Sequence, residues 1–154
     1  MDRLSKEHRS WNMSRIRDRD TTPEKTVRSL LHRLGYRFRL RRKDLPGKPD
    51  IVLPRFRAVI FVHGCFWHRH RGCKFAYMPK SRVEFWGKKF AGNVERDKKT
   101  GQSLRKMGWR VMVVWECQTG NENTLAVRLT RFLRIPLKRM PPHEIARIRP
   151  ATCG

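Results

Sequence analysis

The stretch FRAVIFVH at residues 56–63 is apolar except for Arg57 and the histidine that ends it. A run of this length and composition predicts a buried β-strand ending at His63. A second apolar run, WRVMVVWEC at residues 109–117, predicts another buried strand, which ends at Cys117. The sequence between them predicts a long helix from Ser81 to Met107, with a capping-box pattern at Ser81 and Glu84 and Gly92 as its weak point. Because a helical crossover joins the two strands, we expect them to be parallel neighbours.

Working outward, TTPEKTVRSLLHRLG at residues 21–35 predicts an amphipathic helix capped by Thr22 and stopped by Gly35, with Glu24 on its apolar side. YRFRLR at residues 36–41 alternates as a half-exposed strand does, and LPGKPDIVL at residues 45–53 predicts a turn followed by a short strand. NTLAVRLTRFLR at residues 123–134 predicts a final amphipathic helix. The sequence therefore predicts one α/β domain at residues 22–135, with a mixed β-sheet flanked by helices. A basic arm at residues 1–21 precedes it, and a tail at residues 136–154 follows it.

The charge of the chain points to a polyanionic partner. Lys and Arg number 37 against 13 Asp and Glu, which gives a formal net charge of +24. Self-repulsion of this size is relieved by nucleic acid, whose condensed counterions are released on binding. No apolar run approaches the roughly 20 residues of a spanning helix, and the basic residues are spread along the chain rather than massed on one helix. A generic basic protein, such as a ribosomal component, remains an alternative on charge alone.

The N-terminal sequence is polar from its start and has no signal-peptide pattern, so we expect a cytoplasmic protein. Four cysteines are few for a secreted disulfide scaffold of this length, which favours a reducing compartment with free thiols.

The segment HGCFWHRHRGC at residues 63–73 concentrates metal-ligand residue types. Cys65, His70 and Cys73, together with Cys117, supply three thiolates and one imidazole, the donor set of a closed structural zinc site. His63 or His68 is an alternative to His70 as the imidazole. The competing interpretation treats Cys117 as a buried strand-end cysteine. Cys153 lies in the expected tail and is left out.

Asp50, at the start of its predicted strand, and His63, at the end of the next, mark a second candidate site. A strand-borne carboxylate beside a neighbouring strand end can hold magnesium next to a scissile phosphate. A simple turn aspartate is the alternative.

Two features are candidates for contact with bases. Trp86, Lys89, Asn93 and Asp97 fall on one face of the predicted long helix, where a solvated polar face is the alternative. Phe66 and Trp67 lie in a loop where both side chains can project as an apolar wedge between base steps, with burial beside the zinc as the alternative.

Together these segments resemble the very short patch repair (Vsr) mismatch endonuclease family. The matching segments follow in the same order along the chain: SRIRDRDTTPEK, LPGKPDIVL, VIFVHGCFWHRH, EFWGKKFAGNVERD and GWRVMVVWEC. The resemblance implies a fold of the restriction-endonuclease type, PD-(D/E)XK. It also implies a magnesium-dependent nick of double-stranded DNA 5′ to the thymine of a T:G mismatch, the product of 5-methylcytosine deamination.

The resemblance also implies a role for each matching residue. Asp50 and the backbone carbonyl of Val62 would hold magnesium, and some relatives have a hydroxyl residue in place of Val62. The remaining catalytic residues would be Glu24, His63, His68 and Asp97, with His68 as base or water-orienting group and Asp97 as its partner. Zinc would be held by Cys65, His70, Cys73 and Cys117. The residues at the DNA would be Phe66, Trp67 and Trp86 inserting from the major groove, Lys89 and Asn93 near the mismatched pair, and Met13 and Ile16 against the minor groove.

Two alternatives of different kinds stand beside this interpretation. One is a related nuclease with relaxed mismatch or sequence preference, and the other is a non-catalytic, zinc-stabilised DNA-binding module. The set of acids and imidazoles argues against the second, because a binding module has no use for it. We further expect a monomer that acts on bacterial DNA in the nucleoid and contacts no membrane.

Overall fold

The computed structural model describes residues 20–40 and 42–134. Residues 1–19 of the expected arm, including Met13 and Ile16, lie outside the described residues, as does the expected tail with Cys153.

Three helices and four strands form the described chain. In chain order they are α1 (Thr22–Arg33), β1 (Arg39–Leu40), β2 (Ile51–Leu53), β3 (Ala58–His63), α2 (Val83–Lys106), β4 (Arg110–Trp115) and α3 (Glu122–Leu133). Short 3₁₀ turns at Pro54–Phe56 and Glu116–Gln118 follow β2 and β4. The sheet order is β1-β2-β3-β4. The first two pairings are antiparallel and the last is parallel, which confirms the predicted crossover between β3 and β4.

Helices cover both faces of the sheet, which explains why the central strand β3 is apolar throughout. Ala58 and Ile60 point into a core shared with α1 and α3, where Leu31 and Leu129 are fully buried. The intervening side chains of β3 point to the other face and pack with Leu104 of α2 and with Trp109. The predicted mixed α/β sheet with flanking helices is confirmed. No helix within the described residues is long and apolar enough to cross a membrane.

The N-terminal boundaries of α1 and α2 differ from the prediction. Thr21 caps α1 in place of Thr22, with its hydroxyl accepting from the Glu24 amide at 3.4 Å. Helix α2 begins at Val83 after a left-handed residue, Arg82, and no described side chain caps it. The predicted capping box at Ser81 and Glu84 is therefore wrong. Helix α2 also runs unbroken through Gly92, whose cost of about 1 kcal/mol is small in a helix of this length.

The predicted first strand is mostly irregular. Only Arg39 and Leu40 pair with β2, while Tyr36 and Phe38 pack against the core from outside the strand. Leu40 is exposed rather than turned inward, because β1 lies at the edge of the sheet, where fewer neighbours cover its side chains.

Candidate active site and metal centre

The predicted acidic position lies against the end of the central strand. Asp50 directly precedes β2, and its Oδ2 accepts a hydrogen bond from the Val62 amide of β3 at 2.7 Å. Asp50 is thus tied to β3 one residue before His63, and it is more than a turn aspartate.

Burial raises the pKa of Asp50 from its usual value to about 7. The Val62 amide opposes this shift, the negative charge of nearby Glu24 adds to it, and Arg28 opposes it. Burial therefore disfavours the ionised Asp50 carboxylate, and the charge of Glu24 disfavours it further. A hard divalent cation with oxygen ligands would stabilise the ionised form.

Glu24 is held in place by a small ionic network. Its side chain is only 3% exposed, and its Oε2 accepts from Arg28 Nη2 and from the Asp20 amide, each at 3.0 Å. Arg28 also donates to Asp20 Oδ1 at 2.8 Å. Arg28 was not predicted from the sequence, although residues four apart on a helix, such as Glu24 and Arg28, are expected to pair.

The two candidate catalytic histidines lie face to face. The rings of His63 and His68 stack with centroids 3.9 Å apart and planes 6° apart. His68 Nδ1 lies 2.6 Å from Asp97 Oδ2 of α2, so the carboxylate accepts a hydrogen bond from that nitrogen. Donor atoms of His63, His68 and Asp97 all lie within 4.8 Å of one another. The fold therefore brings together three side chains that are up to 34 residues apart in the chain, as the positions 63 and 97 show.

The environments of the two histidines differ. His63 is 8% exposed. Burial and, to a lesser extent, the charge of His68 lower its pKa to about 4, against the opposing effect of Asp97. His63 is consequently neutral near pH 7. His68 is partly exposed, and its Nδ1, rather than its Nε2, is bonded to the Asp97 carboxylate.

The four residues that are predicted to bind zinc also lie close together in the structure. Ligand atoms of Cys65, His70, Cys73 and Cys117 all lie within 4.8 Å of one another. His70 Nδ1 lies 3.3 Å from the sulfur of Cys117 and 3.7 Å from that of Cys65. A tetrahedral zinc with ordinary bond lengths requires a nitrogen-to-sulfur separation of about 3.5 Å. The donor set and its spacing therefore fit zinc, with Nδ1 as the histidine ligand atom.

The surroundings of these four residues favour a bound cation. Burial raises the pKa of the Cys65 thiol to about 12, while the Phe75 amide lowers that of Cys73. A thiolate at Cys65 therefore needs a positive charge beside it. Cys117 lies exposed in the 3₁₀ turn after β4, so it is not a buried strand-end cysteine. The ring of His70 stacks on Trp115 at 4.4 Å, which fixes its orientation.

The candidate wedge residues belong to a larger aromatic cluster. Phe66 contacts Trp67, Trp86 and Tyr77, with ring centroids 5.1 to 5.7 Å apart, and it also meets the buried ring of Phe90. Phe66, Trp67 and Trp86 are each partly exposed. They are neither fully buried nor without ring contacts in the protein. Phe90 and Tyr77 were not singled out from the sequence.

The predicted face of α2 exists because the helix is continuous. Asn93 Nδ2 donates to the Trp67 carbonyl at 3.0 Å, and Lys89 Nζ lies 5.7 Å from the Trp67 ring centroid. Asn93 therefore bonds to the loop that carries Trp67, whereas Lys89 is exposed beside the Trp67 ring. Their expected contacts with a mismatched pair stay a prediction.

Comparison with known proteins shows the family. Residues 1–74 match the model of the family described as DNA mismatch endonuclease Vsr. The chain is 53% identical over 132 residues to the type II nicking enzyme V.XorIIP of Xanthomonas oryzae pv. oryzae, covering 86% of this chain and 96% of that protein. It is 49% identical over 126 residues to the DNA mismatch endonuclease Vsr of Escherichia coli K12, covering 81% and 80% of the two chains. The type II nicking enzyme V.NmeAIP of Neisseria meningitidis is 44% identical over 126 residues, with coverage of 82% and 89%. The protein belongs to the Vsr family of DNA mismatch endonucleases.

Proposed function

We propose that the protein nicks double-stranded DNA 5′ to the thymine of a T:G mismatch, in a magnesium-dependent reaction that initiates very short patch repair. Family membership gives the coarser part: the protein is a DNA mismatch endonuclease. The observation that carries the proposed catalysis is the hydrogen bond of 2.6 Å between His68 and Asp97, with the His68 ring stacked on His63.

In the proposed reaction, His68 Nε2 takes the proton of the attacking water. The carboxylate of Asp97 fixes the Nδ1–H tautomer and stabilises the imidazolium that forms. His63 stays neutral and supports the ring of His68 by stacking. The family's PD-(D/E)XK type of fold is part of this proposal, and the parallel β3–β4 pair with Asp50 on the neighbouring strand supports it.

Magnesium at Asp50 would polarise the phosphoryl oxygen and lower the pKa of bound water. Asp50 would supply a carboxylate and Val62 a backbone carbonyl as its ligands, and Glu24 would add negative charge nearby. The raised pKa of Asp50 supports a cation at this position.

Zinc at the four-residue cluster would serve structure rather than chemistry, because three thiolates and one imidazole fill its coordination shell. Its ligands Cys65 and His70 flank Phe66, Trp67 and His68 in the chain. The cluster therefore fixes the aromatic side chains and the proposed base on a single short loop.

DNA recognition would use the basic charge of the chain for affinity and the aromatic cluster for the mismatch. Phe66, Trp67 and Trp86 would insert beside the mismatched pair from the major groove, and Lys89 and Asn93 would lie near that pair. A mismatched step is more easily unstacked than a paired one, which is the physical basis of the selectivity.

A nicking assay tests the proposal. Duplexes that differ only in a T:G or T:A pair are incubated with protein and magnesium, and the products are resolved on denaturing gels. We expect a nick 5′ to the mismatched thymine and none in the T:A duplex. No cleavage of the T:G duplex at any magnesium concentration would refute the proposal.

The same assay on a panel of mismatches in varied flanking sequence separates the proposal from its nearest competitor. Equal cleavage of several mismatches would identify a nuclease of relaxed specificity. The Asp50→Ala variant should bind the T:G duplex and leave it intact, and cleavage by that variant would refute the magnesium assignment.

A further inference from the structure

Arg69 lies between the proposed base His68 and the zinc-site residue His70, and its side chain is turned inward. Its Nη1 donates to the carbonyls of Tyr77 at 3.0 Å and Phe66 at 3.3 Å, and its Nη2 donates to the carbonyl of Ala76 at 2.8 Å. The guanidinium carbon also lies 4.1 Å from the ring centroid of Phe90, a buried residue of α2. One side chain thus joins three backbone carbonyls and an aromatic face.

The backbone at Arg69 supports this inward placement. Its φ of +57° is in the left-handed region, which a non-glycine residue adopts at a cost in energy. The contacts of the guanidinium compensate for that cost. They also need a planar fork of donors, which arginine has and lysine lacks.

Arg69 completes a row of contacts between the loop and α2. Phe90, Asn93 and Asp97 lie at helical spacing on one face of α2. They hold three successive loop residues: Phe90 receives the guanidinium of Arg69, Asn93 the carbonyl of Trp67, and Asp97 the imidazole of His68. Of the three loop residues, only Arg69 also reaches the returning segment at residues 76–77.

We propose that Arg69 is a positioning residue, which fixes the loop of residues 66–69 on α2 and so holds His68 and the Phe66–Trp67 pair in their working arrangement. The proposal rests on the nicking activity proposed above. It distinguishes Arg69 from basic residues that would contact DNA phosphates, because both of its terminal nitrogens donate to backbone carbonyls of the protein.

Two substitutions distinguish positioning from phosphate contact. Arg69→Lys keeps the charge and loses the fork, whereas Arg69→Gln loses both. We expect both variants to nick a T:G duplex at least about tenfold more slowly than wild type in single turnover at saturating DNA, with zinc content unchanged. We also expect both to keep the wild-type slope of log binding constant against log salt. A phosphate contact would leave the lysine variant near wild type and would lower the slope of the glutamine variant by about 0.9.

The matched control is Arg71→Lys, because Arg71 is exposed and lies two residues further along the chain. It should nick at the wild-type rate. Wild-type rates in both Arg69 variants would overturn the proposal, and so would loss of zinc in parallel with loss of rate, since that pattern assigns Arg69 to the zinc site.

Hydrogen–deuterium exchange keeps the test independent of activity. We expect faster amide exchange of residues 66–77 in both Arg69 variants, with exchange in β3 unchanged. Unchanged exchange in the loop would overturn the proposal. If the wild type fails to nick mismatched DNA, the proposed function falls, while the exchange result still decides whether Arg69 positions the loop.

Discussion

Replacing Asp50 by Asn should stabilise the protein at alkaline pH while it removes nicking. Asp50 has its pKa raised to about 7, first by burial and then by Glu24, against an ordinary value of 3.8. Its ionised form therefore opposes folding. Asparagine keeps an oxygen for the Val62 amide and carries no charge, so it removes this penalty.

The sign and size of the effect follow from the two pKa values. Because the folded pKa is raised, the stability associated with protonated Asp50 is fully present below about pH 4 and is lost as the pH rises to about 7. Between pH 5.5 and pH 8, Asp50 is already ionised in the unfolded chain. In the folded protein it stays protonated up to its pKa of about 7, about 1.5 pH units above pH 5.5. At about 1.4 kcal/mol per unit, wild type should lose about 2 kcal/mol relative to Asp50→Asn over this interval.

Urea unfolding of zinc-loaded protein without added magnesium measures this difference, with the linear extrapolation applied at each pH. Titration of the zinc ligands is common to both proteins and cancels in the comparison. The exposed Asp44, whose pKa is lowered by its hydrogen bond to Arg42, provides a matched control. The difference in free energy of unfolding between wild type and Asp44→Asn should not change with pH above 5.5. If the difference between wild type and Asp50→Asn is equally independent of pH, the burial argument for Asp50 is refuted.

Three further predictions concern the other parts of the site. Asp97→Asn should slow single-turnover nicking by about 100-fold or more with DNA affinity unchanged, because the charge behind His68 is lost; a wild-type rate would exclude His68 as the assisted base. Cys117→Ser should lower the zinc content from about one equivalent per chain and reduce the melting temperature, measured by elemental analysis and calorimetry. A wild type that is stably folded and free of metal would count against the zinc site. Trp67→Ala should weaken binding to the T:G duplex by about tenfold, with a smaller effect on the paired duplex, measured by fluorescence anisotropy; equal losses on both duplexes would contradict its role at the mismatch.

The sheet could be predicted because its signals are local and strong. The apolar runs ending at His63 and Cys117, joined by a long helix, determined the parallel pair. The N-terminus of α2 could not be predicted in the same way. A capping box at Ser81 and Glu84 is a local pattern, and the left-handed residue Arg82, immediately before the first helical residue, displaces it. Similarly, Leu40 follows the strand alternation but lies at an edge that no described element covers.

In the candidate site, too, local patterns could be predicted from the sequence and contacts between distant elements could not. Residue type and spacing marked the three cysteines and Asp50 as candidates but left His63, His68 and His70 as alternatives for the imidazole. The structure brings His70 together with Cys65, Cys73 and Cys117. The stacking of His63 on His68 and the ionic network of Arg28 depend on how β3, α1 and the loop meet in space. Arg69 shows the limit most clearly, since nothing in the sequence distinguishes its inward guanidinium from the exposed Arg71 two residues away.

The contrast between Asp50 and the loop indicates how stability is distributed in this fold. The Asp50–Glu24 side carries negative charge at a cost in folding free energy, and a magnesium ion would reduce that cost only when it binds. The loop, in contrast, is held from three directions: by the zinc-site residues, by the face of α2 and by the carbonyls that Arg69 binds. The side chains of the loop thus have several contacts within the fold, whereas the ionised Asp50 carboxylate is disfavoured by its burial. Substitutions that loosen the loop should therefore slow nicking without stabilising the folded protein. Neutralising Asp50 should slow nicking and also stabilise the folded protein.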